Sequence, residues 1–267
     1  MESNVTLLNF DGAYTKQSFY RNGPYNWIEL ESMPNTNLFC EKDNLRHIDD
    51  KLLQRRPNNL HFIGSGNYHY ISYVLQSRIE KPYTLILFDH HTDTLPSPSE
   101  DLISCGSWVL NSLQQLPMLQ KVFIIGAGED APEHIPSSFK TKAVTYEKNL
   151  FPLNLSPIIK SILNNIPTDS VYVSIDKDVL DKKDAVTGWD HGTLRLKQMM
   201  KMVKAIFRNT TVIGTDICGE YPVNPANEHQ KQTRDVIETN NRTNRFILEC
   251  IKRWAGSDRK TSALLNA

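Results

Sequence analysis

The sequence predicts an α/β fold: one doubly wound domain spanning 1–267, with a mostly parallel central sheet flanked by helices. Three observations carry this. Short apolar runs recur along the 267 residues, separated by stretches with helical spacing. The runs do not alternate with polar residues, as expected of strands covered on both faces. Each run ends in polar or ionisable residues, and open parallel sheets gather their sites at the carboxyl ends of strands. Strand, crossover and strand in repetition give a parallel sheet.

In chain order, "VTLLNF" (5–10) is the first predicted strand, and the rest of 1–59 is irregular, with Pro24, Pro34 and Pro57 breaking any pattern. "LHFIGSG" (60–66) is a strand, followed by a helix over 70–80. "YTLILFD" (83–89) is a strand rich in Leu, Ile and Phe, and 101–116 has helical spacing. "KVFIIGAG" (121–128) is a strand. A helix over 156–165 starts at "SPIIKSIL", with Ser156 as the predicted N-cap and Pro157 in the first turn, where its missing N–H is harmless. "SVYVSID" (170–176) and "TVIGTDI" (211–217) are strands on either side of a helix over 195–208. A charged amphipathic helix over 232–254 closes the pattern. No internal repeat or low-complexity stretch interrupts it.

Composition narrows the class. Lys and Arg balance Asp and Glu at 30 each, which removes the basic excess that nucleic-acid or membrane-surface binding usually requires. No apolar run approaches the roughly 18 residues of a spanning helix, and "MESNVTLLNF" has neither a basic start nor an apolar core of a signal peptide. The four cysteines (Cys40, Cys105, Cys218, Cys250) are scattered, as in a protein with reduced thiols. The expectation is a cytoplasmic protein.

The chemistry concentrates in "LILFDHHTDT" (85–94). Asp89, His91 and Asp93 alternate, so an extended chain projects all three to one side and His90 to the other. "VYVSIDKDVLD" repeats the design: Asp176 and Asp178 share a side at a strand end, Lys177 points away, and Asp181 caps the next turn. Two carboxylates held together repel and are costly to desolvate, and a divalent cation removes that cost. "GSGNYHY" adds His69. The six donors His69, Asp89, His91, Asp93, Asp176 and Asp178 exceed what one tetrahedral zinc takes, and their oxygen-rich mix suits Mn²⁺. Two ions sharing bridging carboxylates, about 3.5–4 Å apart, would use them all. No cysteine stands near either aspartate set in a ligand pattern, which argues against a thiolate zinc site. His47, His61, His134 and His229 fall in no ligand spacing.

With "GSGNYHY", "DHHTD" and "SIDKDVLDK" in that order and spacing, the chain from about 60 to 225 resembles a divergent member of the ureohydrolase (arginase/agmatinase/formiminoglutamase) superfamily. Its signatures are a Gly-Gly-Asp-His-Ser turn, Asp-Ala-His-x-Asp and Ser-x-Asp-x-Asp-x-x-Asp-Pro. The resemblance implies an arginase-like domain holding two Mn²⁺ ions. His69, Asp89, Asp93 and Asp176 would hold one and His91, Asp89, Asp176 and Asp178 the other, with Asp89 and Asp176 bridging. It further implies a C–N hydrolase for a small guanidino or amidino compound, in which a metal-bridging hydroxide, oriented by Asp93, attacks and urea or an analogous amide is released. "DICGEYP" resembles the family's Asp-x-x-Glu-x-x-Pro segment, with the Pro one place early, and would set Glu220 against the substrate guanidinium. A homo-oligomer is a further implication.

Four departures mark the pocket. Asn67-Tyr68 replaces the aspartate before the histidine, altering the support of His69. Cys105 stands where arginases and agmatinases have a histidine, and a thiol is the poorer acid. "TGWDHGTL" brings Trp189, a possible pocket wall, and His191, a possible replacement acid/base. "GAGEDA" lacks the arginine-type loop that reads an α-amino acid, so Glu129 or Asp130 could meet a cationic tail and an agmatine-like substrate fits better than L-arginine. The alternatives are a single-metal deacetylase-like amidohydrolase of the same fold and a non-catalytic metal-binding relative.

Overall fold

The computed structural model of the chain describes residues 5–54, 58–151, 154–223 and 226–265; Pro57, one of the three predicted pattern breakers, lies outside them. Its centre is an eight-stranded sheet made of β1 (Val5–Asn9), β2 (Tyr25–Glu29), β4 (Leu60–Phe62), β5 (Tyr83–Phe88), β7 (Leu119–Ala127), β8 (Ala143–Glu147), β9 (Ser170–Asp176) and β10 (Thr211–Cys218). The strand order is β2-β1-β4-β10-β9-β5-β7-β8, and each pairing is parallel. A small antiparallel pair, β3 (Phe39–Glu41) and β6 (Leu102–Ser104), lies apart from it.

The apolar runs form strands because each side of them meets a helical layer. Ile86, Phe88, Val173 and Ile175 pack into one core with residues of α5 (Leu155–Asn164), α6 (Leu196–Asn209) and α7 (Lys231–Leu265). Their neighbours Leu85, Leu87 and Tyr172 face the opposite core. That core is built with α1 (Lys42–Leu53), α2 (Ile71–Gln76) and α3 (Trp108–Gln115). All six residues of β5 are buried. A short α4 (Ala131–His134) completes the set.

Several predicted boundaries move. Helix 101–116 shortens to α3 because Leu102–Ser104 pairs with Phe39–Glu41 and the Cys105-Gly106 turn separates it from the helix. The N-cap of α5 is Asn154, whose side chain accepts from the Ser156 backbone N–H at 3.0 Å, so Ser156 lies inside the helix. Strand 60–66 stops at Phe62, since Gly64 turns the chain with φ +108° into a 3₁₀ turn at Gly66–Tyr68. Strands β2 and β8 are absent from the sequence reading. Both are sheet edges with mixed burial, and neither has the continuous apolar run of a central strand. No helix among the described residues is long and apolar enough to cross a membrane.

This order positions the site. β4, β10, β9 and β5 are consecutive neighbours at the centre of the sheet, so residues more than a hundred apart in sequence leave adjacent strand ends.

Candidate metal centre

His69 caps the 3₁₀ turn that follows β4. Gly66 makes that turn possible, because a Cβ there would lie 2.9 Å from Asp176 Oδ2. Asp89 continues the β5 ladder through its N–H to the Ile125 carbonyl, and its Oδ1 accepts from the His91 N–H at 2.6 Å. Asp93 sits in the left-handed region at φ +51°, a conformation that costs a residue with a Cβ about 1–3 kcal/mol. The cost is offset where its carbonyl accepts the N–H groups of Val109 and Leu110 in the first turn of α3. Asp176 ends β9, and its Oδ1 accepts the Asp178 N–H at 2.9 Å. Asp178 Oδ1 in turn accepts the His90 N–H at 3.0 Å. Asp181 accepts from the Lys183 N–H, the turn-capping role expected of it.

The structure brings the six predicted ligands together. His69 Nδ1 lies 3.2 Å from Asp93 Oδ2, 3.3 Å from Asp89 Oδ2 and 3.5 Å from Asp176 Oδ2. His91 Nδ1 lies 2.9 Å from Asp178 Oδ2 and 3.6 Å from Asp89 Oδ1. Asp89 therefore turns one oxygen toward each imidazole. Ligand atoms about 2.0–2.2 Å from a shared ion stand roughly 3–3.5 Å from one another, close to these separations. His69 Nδ1 and Asp89 Oδ2 are buried without a hydrogen-bond partner, an expensive condition that a cation would relieve. The donor set fits a divalent metal.

The imidazole of His69 is pinned from behind. Its Nε2 lies 2.9 Å from Ser174 Oγ, and that hydroxyl donates to Asp216 Oδ1 at 2.6 Å. Asp216 Oδ2 accepts from Tyr172 OH at 2.8 Å. Because Ser174 spends its proton on Asp216, Nε2 is the nitrogen that donates to Ser174, which leaves Nδ1 as the one that would give its lone pair to a cation. β9 and β10 thus supply the support behind His69. Trp108 Nε1 donates to Asp93 Oδ2 at 2.6 Å.

The electrostatics describe an overcrowded acid cluster. Burial, then the charges of Asp176 and Asp89, push Asp178 well above the usual carboxylate range. Burial and Asp89 push Asp93 up to about 6. Burial would also raise Asp89, but His69 and His91 outweigh it and hold this carboxyl below its usual range. Burial opposes a charge on His91, yet Asp178 and Asp89 hold it up to about 12. A cation replaces the protons that this arrangement otherwise retains.

The cluster forms the floor of a cavity of about 560 Å³, walled by Leu38, Leu95 and Pro96 and reached by Cys105, Asp130 and Trp189. No lysine or arginine lines it among the described residues. Burial, and then the Asp93 charge, push the Cys105 thiol up to about 12, so it is neutral and no base at ordinary pH. Trp189 sets its ring edge-on to His91 at 5.7 Å between centroids, and its Nε1 donates to Asn67 Oδ1 at 2.9 Å.

Two predicted site residues are placed elsewhere. His191 does not line the cavity; Nδ1 meets the Leu180 carbonyl at 3.0 Å and Nε2 the Thr187 N–H at 3.2 Å, so both nitrogens brace the loop and neither is left for proton transfer. Glu220 also faces away from the cavity. It pairs with Lys177 and accepts from Asn244 at 2.7 Å, Gln17 at 2.8 Å and Asn240 at 3.2 Å. The reason is one residue of register. Three places after Asp216 stands Gly219, whose added Cβ would meet Asp176 Oδ1 at 2.5 Å, and the carboxylate one place later turns to the other side.

Sequence reasoning missed Ser174, Asp216 and Trp108, which reach the ligands only through strand pairing and helix placement. It also set aside Cys218. That thiol lies 3.1 Å from Asp176 Oδ2, brought there by the β9–β10 register that pairs the two residues.

Fold and site together define an α/β architecture of the arginase type with a candidate metal centre at its strand ends. The chain belongs to the arginase family, which it matches over residues 17–241. It is 27% identical over 219 residues to an uncharacterized protein of Thermotoga maritima, covering 81% of this chain and 80% of that one. It is 26% identical over 201 residues to an agmatinase of Bacillus cereus, covering 72% of this chain and 63% of the agmatinase. Among solved structures, a hypothetical agmatinase from Burkholderia thailandensis aligns with TM-score 0.66 at 15% identity, over 96% of this chain and 87% of that one. Formimidoylglutamase from Bacillus subtilis aligns with TM-score 0.66 at 17% identity, over 94% and 87%. Arginase from Bacillus caldovelox gives 0.61 at 15%, over 91% and 98%. At these identities the structural likeness is one of fold.

Proposed function

We propose that the chain is a binuclear metal hydrolase that cleaves a C–N bond in a small guanidino or amidino compound. His69, Asp89, Asp93 and Asp176 would hold one divalent ion and His91, Asp89, Asp176 and Asp178 the other. Mn²⁺ suits the oxygen-rich set. The observation that carries this reading is the convergence of two imidazoles and four carboxylates around the orphaned His69 Nδ1 and Asp89 Oδ2. When bound, paired divalent cations polarise a substrate and make water nucleophilic near neutral pH.

The protein's own groups then divide the work. Asp89 spans the two halves, and the Ser174–Asp216 relay fixes the imidazole of His69. Asp93, held by Trp108, would orient the attacking water and carry its proton to the leaving nitrogen. The cavity, with Asp130 at its wall and no lysine or arginine among the described residues, suits a positively charged or neutral substrate and disfavours one with a free carboxylate. Cys105 and Trp189 are pocket walls in this reading.

Incubating the Mn²⁺-loaded protein with guanidino and amidino amines and amino acids, and assaying urea, ammonia and amide release, tests it. Turnover that vanishes in Asp89→Asn supports the proposal. A second reading, a metal-binding relative without turnover, is favoured by the engagement of Glu220 with Lys177; inertness of the metal-loaded protein across the panel would select it.

A further inference from the structure

Cys218 is fully buried at the end of β10, directly across the ladder from Asp176. Its Sγ, an Asp176 oxygen and a His69 ring nitrogen all lie within 4.8 Å of one another. Sγ lies 3.1 Å from Asp176 Oδ2, and a shift of about half an ångström would bring the two to the roughly 3.5 Å separation of sulfur and oxygen ligands on one tetrahedral ion, given Zn–S near 2.3 Å and Zn–O near 2.0–2.2 Å. A second observation points the same way. His69 is 1% exposed, and its Nδ1 enters this cluster without a hydrogen-bond partner. Gly219 permits the approach: at φ +87° it turns the chain immediately after Cys218, where a Cβ would collide with Asp176 and Lys177.

The two halves of the centre are chemically unequal. Asp89, His91 and Asp178 form one candidate set of two carboxylates and an imidazole, with no sulfur within it. At His69 two sets meet, one with Asp89 and Asp93 and one with Asp176 and Cys218, so only the His69 half has a thiol within reach. Carboxylate and imidazole suit Mn²⁺, whereas thiolate selects zinc and other thiophilic ions.

We propose that Cys218 is a thiolate ligand of the ion held by His69 and Asp176, so that this half of the centre takes a thiophilic cation such as Zn²⁺ while the His91 half takes a hard one such as Mn²⁺. This rests on the metal-centre reading above and adds to it a ligand and a division of metals. It concerns how the ions are held and requires no particular substrate.

Co²⁺ titration of the metal-stripped full chain tests it, with bound cobalt counted by equilibrium dialysis beside each spectrum. The expected result is a near-ultraviolet sulfur-to-cobalt charge-transfer band that saturates at one cobalt per chain. The band is lost in Cys218→Ser and Cys218→Ala but kept in Cys105→Ser, the thiol that lines the cavity. Zn²⁺ affinity should fall roughly 10–100-fold in Cys218→Ser, at least the loss typical of removing a supporting group, with Mn²⁺ affinity of the other half little changed. Cobalt bound without the band, or a band that survives in Cys218→Ser, would overturn the thiolate assignment and leave the metal centre standing, with Cys218 a hydrogen-bond donor to Asp176. No cobalt bound at all would overturn both.

Discussion

Lys177 and Glu220 form an ion pair in which neither side chain is more than 2% exposed, with Asn244 bonded to both. Lys177 follows Asp176 directly, so the residue that separates the two metal-competent aspartates also anchors the far side of the β9 turn. Lys177→Met would leave a buried carboxylate unpaired and should cost about 3–5 kcal/mol. The pair Lys177→Met with Glu220→Met should recover much of that loss, since apolar replacements of a buried pair are often neutral. Urea unfolding of the metal-free proteins reads both, and additive losses would show that the pairing itself matters little.

Trp108→Phe removes the 2.6 Å hydrogen bond to Asp93 while keeping an aromatic ring beside His69, 4.8 Å away between centroids. Metal affinity should fall roughly 10–100-fold, as measured by competition with a chromophoric chelator. Unchanged affinity would mean that Asp93 is held by its backbone alone.

His61 carries a pH dependence separable from the metal cluster. Burial, aided by the nearby charge of Arg78, lowers it to about 4. Between its ordinary value near 6.5 and about 4 the unfolded chain binds the proton and the folded chain does not, so stability falls as pH falls through that window. The full effect is about 3 kcal/mol at 1.36 kcal/mol per unit. The difference in unfolding free energy between wild type and His61→Leu should therefore change by that amount from pH 7 to pH 4. A flat difference would show that His61 is reached by water.

His191→Ala should cost roughly 1–3 kcal/mol through the unpaired Leu180 carbonyl and Thr187 N–H. Metal binding should persist, because both ring nitrogens already face the backbone. Loss of metal at unchanged stability would contradict that role.

The central strands and the motif at each strand end were legible because β5 and β9 are continuous apolar runs, buried along their whole length, that end in aspartates. Asp89, His91 and Asp93 could be grouped from alternation alone. Cys218 and Ser174 could not: each meets the cluster across a strand pairing that local spacing does not encode. Glu220 was misread for a sharper reason. A shift of one residue at a strand end reverses the side chain's face, and Gly219, lacking a Cβ, occupies the position toward Asp176. His191 looked available only because its backbone partners, Leu180 and Thr187, carry no sequence signature.

The most direct test of the binuclear centre is metal stoichiometry on protein reconstituted with divalent cations, run beside Asp178→Asn. Asp178 Oδ2 approaches His91 Nδ1 at 2.9 Å, and its N–H donates to Asp176 Oδ1. Two ions per chain are expected, falling to about one or none in the variant. One tightly held ion, unchanged by Asp178→Asn, would contradict a binuclear centre.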